Sequence, residues 1–204
     1  MNLTVVIIVI TVVASFSAWS KPELMNKWIL NPYMVWHRGQ WQRMLLSGFI
    51  HKDQMHLFFN MFTFYFFGGV VEKIFAYYFG SLGVVYFLVL YLAGIVFADL
   101  PTLFKHKDNH YYNALGASGG VSALVFAFIL FNPLQKICLY FVICLPGIVL
   151  GALYMIYSIY SSKYQADSIN HDAHLYGAFF GILFCILVKP DVLGHFIMQI
   201  SSVF

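Results

Sequence analysis

The sequence predicts an all-α polytopic membrane protein of six transmembrane helices, with a long first loop folded into the membrane interface. Three observations carry this reading. The 204 residues are 61% hydrophobic and only 9% charged, whereas a soluble domain carries about a quarter charged residues. The apolar residues gather into runs close to the roughly 17 to 25 residues that cross a bilayer. Tryptophans and basic residues concentrate in one connection between the first two runs.

Six segments meet the length criterion, at about 2–19, 54–71, 82–98, 115–131, 137–157 and 171–188, and they make residues 1–204 a single membrane domain. The first reads as a retained helix and not as a secretory signal ending near Ser17-Ala18, because no Lys or Arg precedes its apolar core. The connection from Ser20 to Asp53 holds Trp28, Trp36 and Trp41, with Trp19 at its edge and Lys21, Lys27, Arg38 and Arg43 interleaved. Indoles prefer the headgroup region, so this loop is expected to lie in the interface. The fifth segment contains Pro146-Gly147, which removes a helical hydrogen bond and predicts a kink midway. The polar stretch Ser158 to Asn170 after it has the composition of a mobile cover.

Cys138, Cys144 and Cys185 lie in apolar runs without metal-site or CxxC spacing, which predicts buried small hydrophobes and no disulfide. The net charge of +3 is scattered without a run, which gives no nucleic-acid footprint.

The polar residues inside the segments carry the functional signal. Successive membrane helices reverse direction, so the second, fourth and sixth all start at one membrane face. Their first turns hold His51, His56 and Asn60, then Ser118, then His171 and His174. Rise per residue places Ser118 and His174 roughly 5 Å, and Asn60 roughly 9 Å, below their helix starts. Ionisable groups at that depth are costly and usually face a bundle interior or wet cavity. Gly119, Ala123 and Ala127 on the fourth segment and Ala173, Gly177 and Gly181 on the sixth recur every four residues, the small-residue spacing that lets membrane helices approach closely. If the stripes face each other, Ser118 and His174 come within hydrogen-bonding reach.

That pair has a chemistry. A neutral histidine activates a serine hydroxyl by taking its proton, and the unpartnered N–H groups of a helix start can hold the oxyanion that follows. His56 and Asn60, four residues apart on one helical face, are placed to donate to the same oxyanion, while His51 shapes the cavity. Gly116 and Gly119 keep the approach free of side chains. Taken alone, a GxSG in a membrane helix is more often packing than catalysis. The coincidence of polar residues in three co-directional first turns favours catalysis. Asp172 lies two positions before His174 and so on another face, which predicts a dyad and not a triad.

These residues resemble the rhomboid intramembrane serine proteases in their bacterial six-helix form, from about Gly39 to Pro190. HKDQMHLFFN fits the family's H-x4-H-x3-N, GASG its nucleophile motif, AHLYGAFFG its A-H-x-x-G-x-x-x-G, and GGVVEK places Glu72 at the close of the second helix. The resemblance implies a cofactor-independent endopeptidase that cleaves membrane proteins within or beside a transmembrane segment. Ser118 would be the nucleophile and His174 the base, with the Ser118 backbone, His56 and Asn60 as oxyanion donors. Transmembrane proteins and membrane lipids are then the partners, with no nucleic acid and no metal. The family topology implies a bacterial cytoplasmic membrane and an active site opening to the extracytoplasmic side. This chain departs from its relatives in having Gln42 where a tryptophan often precedes the arginine, and Ser122 where some carry a tyrosine that stacks on the catalytic histidine. His174 therefore needs other support. Two other classes compete with this reading: a non-catalytic rhomboid-like protein that binds membrane clients, and a metal or haem transporter using His51, His56 and His174, against which stands the lack of cysteine and carboxylate ligands beside them.

Overall fold

The computed structural model describes residues 2–139, 142–164 and 170–202. Helix α1 (Leu3–Ser20) starts at Asn2, whose side chain accepts from the Val5 N–H. Its buried positions Thr4, Ile7, Thr11, Ala14, Ser15 and Ala18 recur at three- and four-residue spacing, which makes one face that packs on α5 (Gln54–Phe79). The Glu72 carboxylate of α5 accepts from the Leu3 and Thr4 N–H groups at 2.8 and 2.9 Å and from the Thr4 hydroxyl at 2.7 Å. It thus satisfies donors that a helix start leaves unpaired. Glu72 does not close the second membrane helix, as the sequence suggested: α5 continues to Phe79 and ends at Gly80, where φ is +56°.

The first loop carries its own short elements, α2 (Pro22–Trp28), α3 (Pro32–Arg38), α4 (Arg43–Leu46) and a 3-10 turn at Ser47–Phe49. Both α2 and α3 begin on a proline, whose missing N–H costs nothing in a first turn. Arg43 is buried at the centre of the loop and donates to the Gln40 side-chain oxygen at 2.6 Å and to the Asn26 and Ile29 carbonyls at 2.7 and 2.8 Å. Hydrogen bonds from a charged donor contribute about 1.5–3 kcal/mol each, enough in sum to offset the burial of one guanidinium. Leu30, Val35 and Met44 pack with Leu103 of α6 (Leu82–His106) into a small core beneath the loop.

The main core lies between α1, α5, α6, α7 (Ser118–Phe131) and α9 (His171–Val188). Phe64, Phe75, Phe87, Tyr91 and Leu124 are fully buried there. The most extensive packing is between α7 and α9.

The fifth segment differs from expectation. Residues Lys136–Leu139 and Ile143–Pro146 form an antiparallel hairpin, β1 and β2, so the fold is not purely helical. Cys138 and Cys144 are directly paired across it and joined by a disulfide, contrary to the reading of both as lone hydrophobes; Cys185 is free and buried. The helix here, α8, runs over Gly147–Tyr164. Pro146 therefore precedes the helix and does not kink it, because a proline is tolerated at a helix boundary and resisted inside. Of the expected cover, residues 158–164 are the last turns of α8, and 165–169 lie outside the described residues. An eleven-residue helix, α10 (Asp191–Ser201), follows α9.

Among the described residues, four helices are long and apolar enough to cross a membrane: α1, α5, α6 and α9. The other two expected spans fall short for different reasons. Helix α7 has only 14 residues, and α8 ends in the tyrosine- and serine-rich YSIYSSKY.

Candidate active site

Helix α7 begins at Ser118 because the backbone before it is committed elsewhere. Ala114 and Leu30 exchange backbone hydrogen bonds at 2.9 and 3.0 Å, and the Gly116 N–H donates to the Ser47 carbonyl at 3.0 Å. The Ala117 N–H donates to Nε2 of His51 at 3.3 Å. Fourteen residues reach about 21 Å, short of a hydrocarbon core of about 30 Å, so a bilayer would enclose at least one end of this helix. Ser118 itself is half-buried.

His51 is a buried post beneath this loop. Its Nε2 accepts from Ala117, so Nδ1 carries the proton and donates to Ser15 Oγ at 3.1 Å; the Ser15 hydroxyl donates onward to the Phe49 carbonyl. The Trp19 indole donates to the His51 carbonyl at 2.8 Å. Two α1 side chains therefore hold the residue that holds the loop before Ser118. Burial, reinforced by the neighbouring His56, pushes the His51 imidazole from 6.5 down to about 3, in keeping with one ring nitrogen committed as an acceptor.

A pH dependence follows. The unfolded chain protonates this imidazole near pH 6.5 and the folded chain only near 3. Acid therefore favours unfolding. The stability present above pH 6.5 is lost by up to roughly 1.4 kcal/mol per pH unit as pH falls toward the folded value. Denaturation of the micelle-bound protein at about pH 7.5 and about pH 5 is expected to show this loss, and His51→Gln to flatten it.

Asp53 caps α5 by accepting from the His56 N–H at 2.8 Å, which fixes His56 in the first turn. The His56 ring lies against Gly116: a Cβ there would fall 2.7 Å from Cε1 and 2.8 Å from Nε2, and the Gly116 φ of +121° already disfavours any other residue. Asn60 is buried one turn below, its amide donating to the His56 carbonyl at 2.9 Å, with its second N–H left to serve another acceptor.

The two small-residue stripes face each other. A Cβ on Gly177 would overlap the Gly119 carbonyl, and one on Gly181 the Ala123 carbonyl. The Gly119 site also lies 3.7 Å from the Ala173 carbonyl. Ser118 and His174 adjoin these contacts, one residue from Gly119 and from Ala173 respectively. Asn170 caps α9 by accepting from the Ala173 N–H, and its amide donates to Thr102 Oγ1 on α6 at 2.9 Å, so the turn bearing His174 is anchored to a third helix. Asp172 is engaged elsewhere, by Lys105 Nζ at 3.1 Å and by the Ser162 hydroxyl.

The sequence did not single out Tyr154. Its ring lies nearly parallel to that of His174, at 6.1 Å and 17°, and its hydroxyl is 3.0 Å from Ser122 Oγ. The hint was Ser122 itself, a side chain with no aromatic ring to offer the histidine. His171 meets His174 edge-on at 5.8 Å.

Residues 38–190 match the Rhomboid domain family, a stretch that runs from the end of α3 through α9 and takes in every side chain just described on α5, α7, α8 and α9. The chain belongs to the rhomboid family. It is similar to RHOMBOID-like protein 12, mitochondrial, of Arabidopsis thaliana, at 27% identity over 172 residues, 75% of this chain and 49% of the relative. It therefore spans about half the length of that curated relative, 49%. With four helices able to cross a bilayer, this rhomboid is an integral membrane protein. Among the described residues no three His, Cys, Asp or Glu side chains are grouped to hold a metal ion.

Proposed function

We propose that this rhomboid is an intramembrane serine endopeptidase that cleaves other membrane proteins within or beside a transmembrane segment, with Ser118 as nucleophile and His174 as base. The observation that supports the reading is the backbone contact of Gly119 with Gly177, because Ser118 and His174 stand beside it on the first turns of α7 and α9. His174 takes the Ser118 proton as Oγ bonds to the scissile carbonyl carbon. The Ser118 N–H, His56 and Asn60 receive the resulting oxyanion. Collapse breaks the C–N bond, and His174 returns its proton to the departing amine. Water then repeats the sequence on the acyl-enzyme and frees Ser118. No cofactor enters these steps. The substrates proposed are single- or multi-span proteins whose helix unwinds readily near small residues, reached through the surrounding lipid.

Mass spectrometry of products from a co-expressed library of single-span membrane proteins tests the reading. New termini that vanish with Ser118→Ala support it. An identical product set from the variant, or client capture without cleavage, would replace it with the non-catalytic client-binding reading.

The same proposal places the chain in a bacterial cytoplasmic membrane with its mouth on the extracytoplasmic side. Two features favour the reverse orientation. Only Lys73, Lys136 and Lys189 of the eleven basic residues fall at the far face, and the Cys138–Cys144 disulfide lies there too, a bond that persists in oxidising compartments and not in the cytosol. A cysteine in place of the exposed Tyr111, in the loop beside the mouth, is expected to react with an impermeant maleimide added to intact cells. Reaction only after lysis would reverse the orientation and leave the chemistry unchanged.

A further inference from the structure

We infer that Tyr154 is a positioning residue whose ring, pinned through its hydroxyl to Ser122, holds the His174 imidazole toward Ser118. The inference rests on the proposed role of Ser118 and His174. It starts from one face of α7. Positions 118, 122 and 126 are four residues apart and therefore stacked on that face. Ser118 is at the top, Ser122 is buried one turn below, and Phe126 a turn below that. Tyr154, from the neighbouring helix α8, fills the space in front of the lower two. Its hydroxyl pairs with Ser122 Oγ at 3.0 Å, and its ring packs on Phe126 with centroids 5.9 Å apart.

What this places against His174 is a flat surface. The two rings are 17° from parallel with centroids at 6.1 Å, an offset arrangement inside the roughly 4.5–7 Å range that aromatic pairs prefer. His171 adds a second wall at 76°. A histidine on a helix has two soft side-chain torsions, and a proton transfer tolerates little error in either: a displacement of about 1 Å can cost on the order of 10²-fold in rate. The Ser122 hydroxyl reaches the tyrosine whose ring faces the imidazole. The support thus comes from α8, a peripheral helix whose Leu153, Ile156, Ile159 and Tyr160 are exposed. Seating of α8 against α7 and α9 becomes a condition for a competent dyad.

The test measures the rate at which a fluorophosphonate probe phosphonylates Ser118 in the purified full chain, together with kcat and KM for a transmembrane reporter. Tyr154→Leu is expected to lower the phosphonylation rate and kcat about 30-fold while KM stays within about twofold. Tyr154→Phe and Ser122→Ala each keep the ring and break the hydroxyl pair. Each should lose about threefold, and the double variant no more than either single, because one interaction is removed only once. These two variants preserve the packing and keep the proposal testable if Tyr154→Leu fails to fold. Wild-type phosphonylation by folded Tyr154→Leu, losses that multiply in the double variant, or a change confined to KM would each overturn it. A wild-type chain that takes no probe defeats the catalytic reading and this inference with it. A wild-type chain that reacts beside an equally reactive Tyr154→Leu defeats this inference alone.

Discussion

Replacing Ser118 with alanine will lower cleavage of a transmembrane reporter by at least about 10³-fold, since what survives loss of a nucleophile is only the catalysis of binding and oxyanion donors. The fold will stay intact. Ser118 is half-buried at the first position of α7, and the loop before it is held by Gly116, Ala117 and His51 through bonds that do not involve its hydroxyl. Thermal unfolding should therefore shift by no more than about 0.5 kcal/mol. His174→Ala should lose nearly as much activity, and the double variant little more than either, because the two act in one step. A folded Ser118→Ala protein that cleaves at the wild-type rate would contradict the assignment.

The largest effect on stability is expected at Gly177. A Cβ there meets the backbone carbonyl of Gly119, which cannot turn aside as a side chain would. Gly177→Val must separate α7 from α9, the most closely packed pair in the fold, at a cost of about 3 kcal/mol. Activity should fall with it, since the same contact sets Ser118 beside α9. Gly69 provides the control. Nothing lies within 4 Å of its Cβ position on α5, so Gly69→Ala should be neutral or stabilise by up to about 1 kcal/mol. Chemical denaturation in detergent micelles measures both.

Much of this was legible in the sequence because membrane helices announce themselves by composition and pack by small residues. The stripes at Gly119 and Gly177 could be read from four-residue spacing alone, and their contact followed. The candidate residues could be picked out for the same reason: His56, Asn60, Ser118 and His174 are polar where polarity is expensive. What failed depended on non-local pairing. The run from 137 to 157 has the hydropathy of a helix, and nothing local says that Cys138 and Cys144 will pair across a hairpin, so that Pro146 ends a strand and does not bend a helix. Helix α7 is shorter than its apolar run because the run takes in Leu115 and Gly116, whereas the backbone of Ala114 and Gly116 is tied to the first loop. The first loop itself was recognised by its tryptophans and arginines, but the burial of Arg43 under three acceptors needs the folded loop to exist first. Tyr154 was hidden by the same rule, one of several tyrosines on α8 that only the register of that helix distinguishes.

The most direct measurement is peptide mapping of the fluorophosphonate adduct, made on the wild-type chain and on His174→Ala in parallel. The account predicts a single phosphonylated site at Ser118 in the wild type and no adduct in the variant over the same interval. Label on another residue, or label on Ser118 at an undiminished rate without His174, would contradict it.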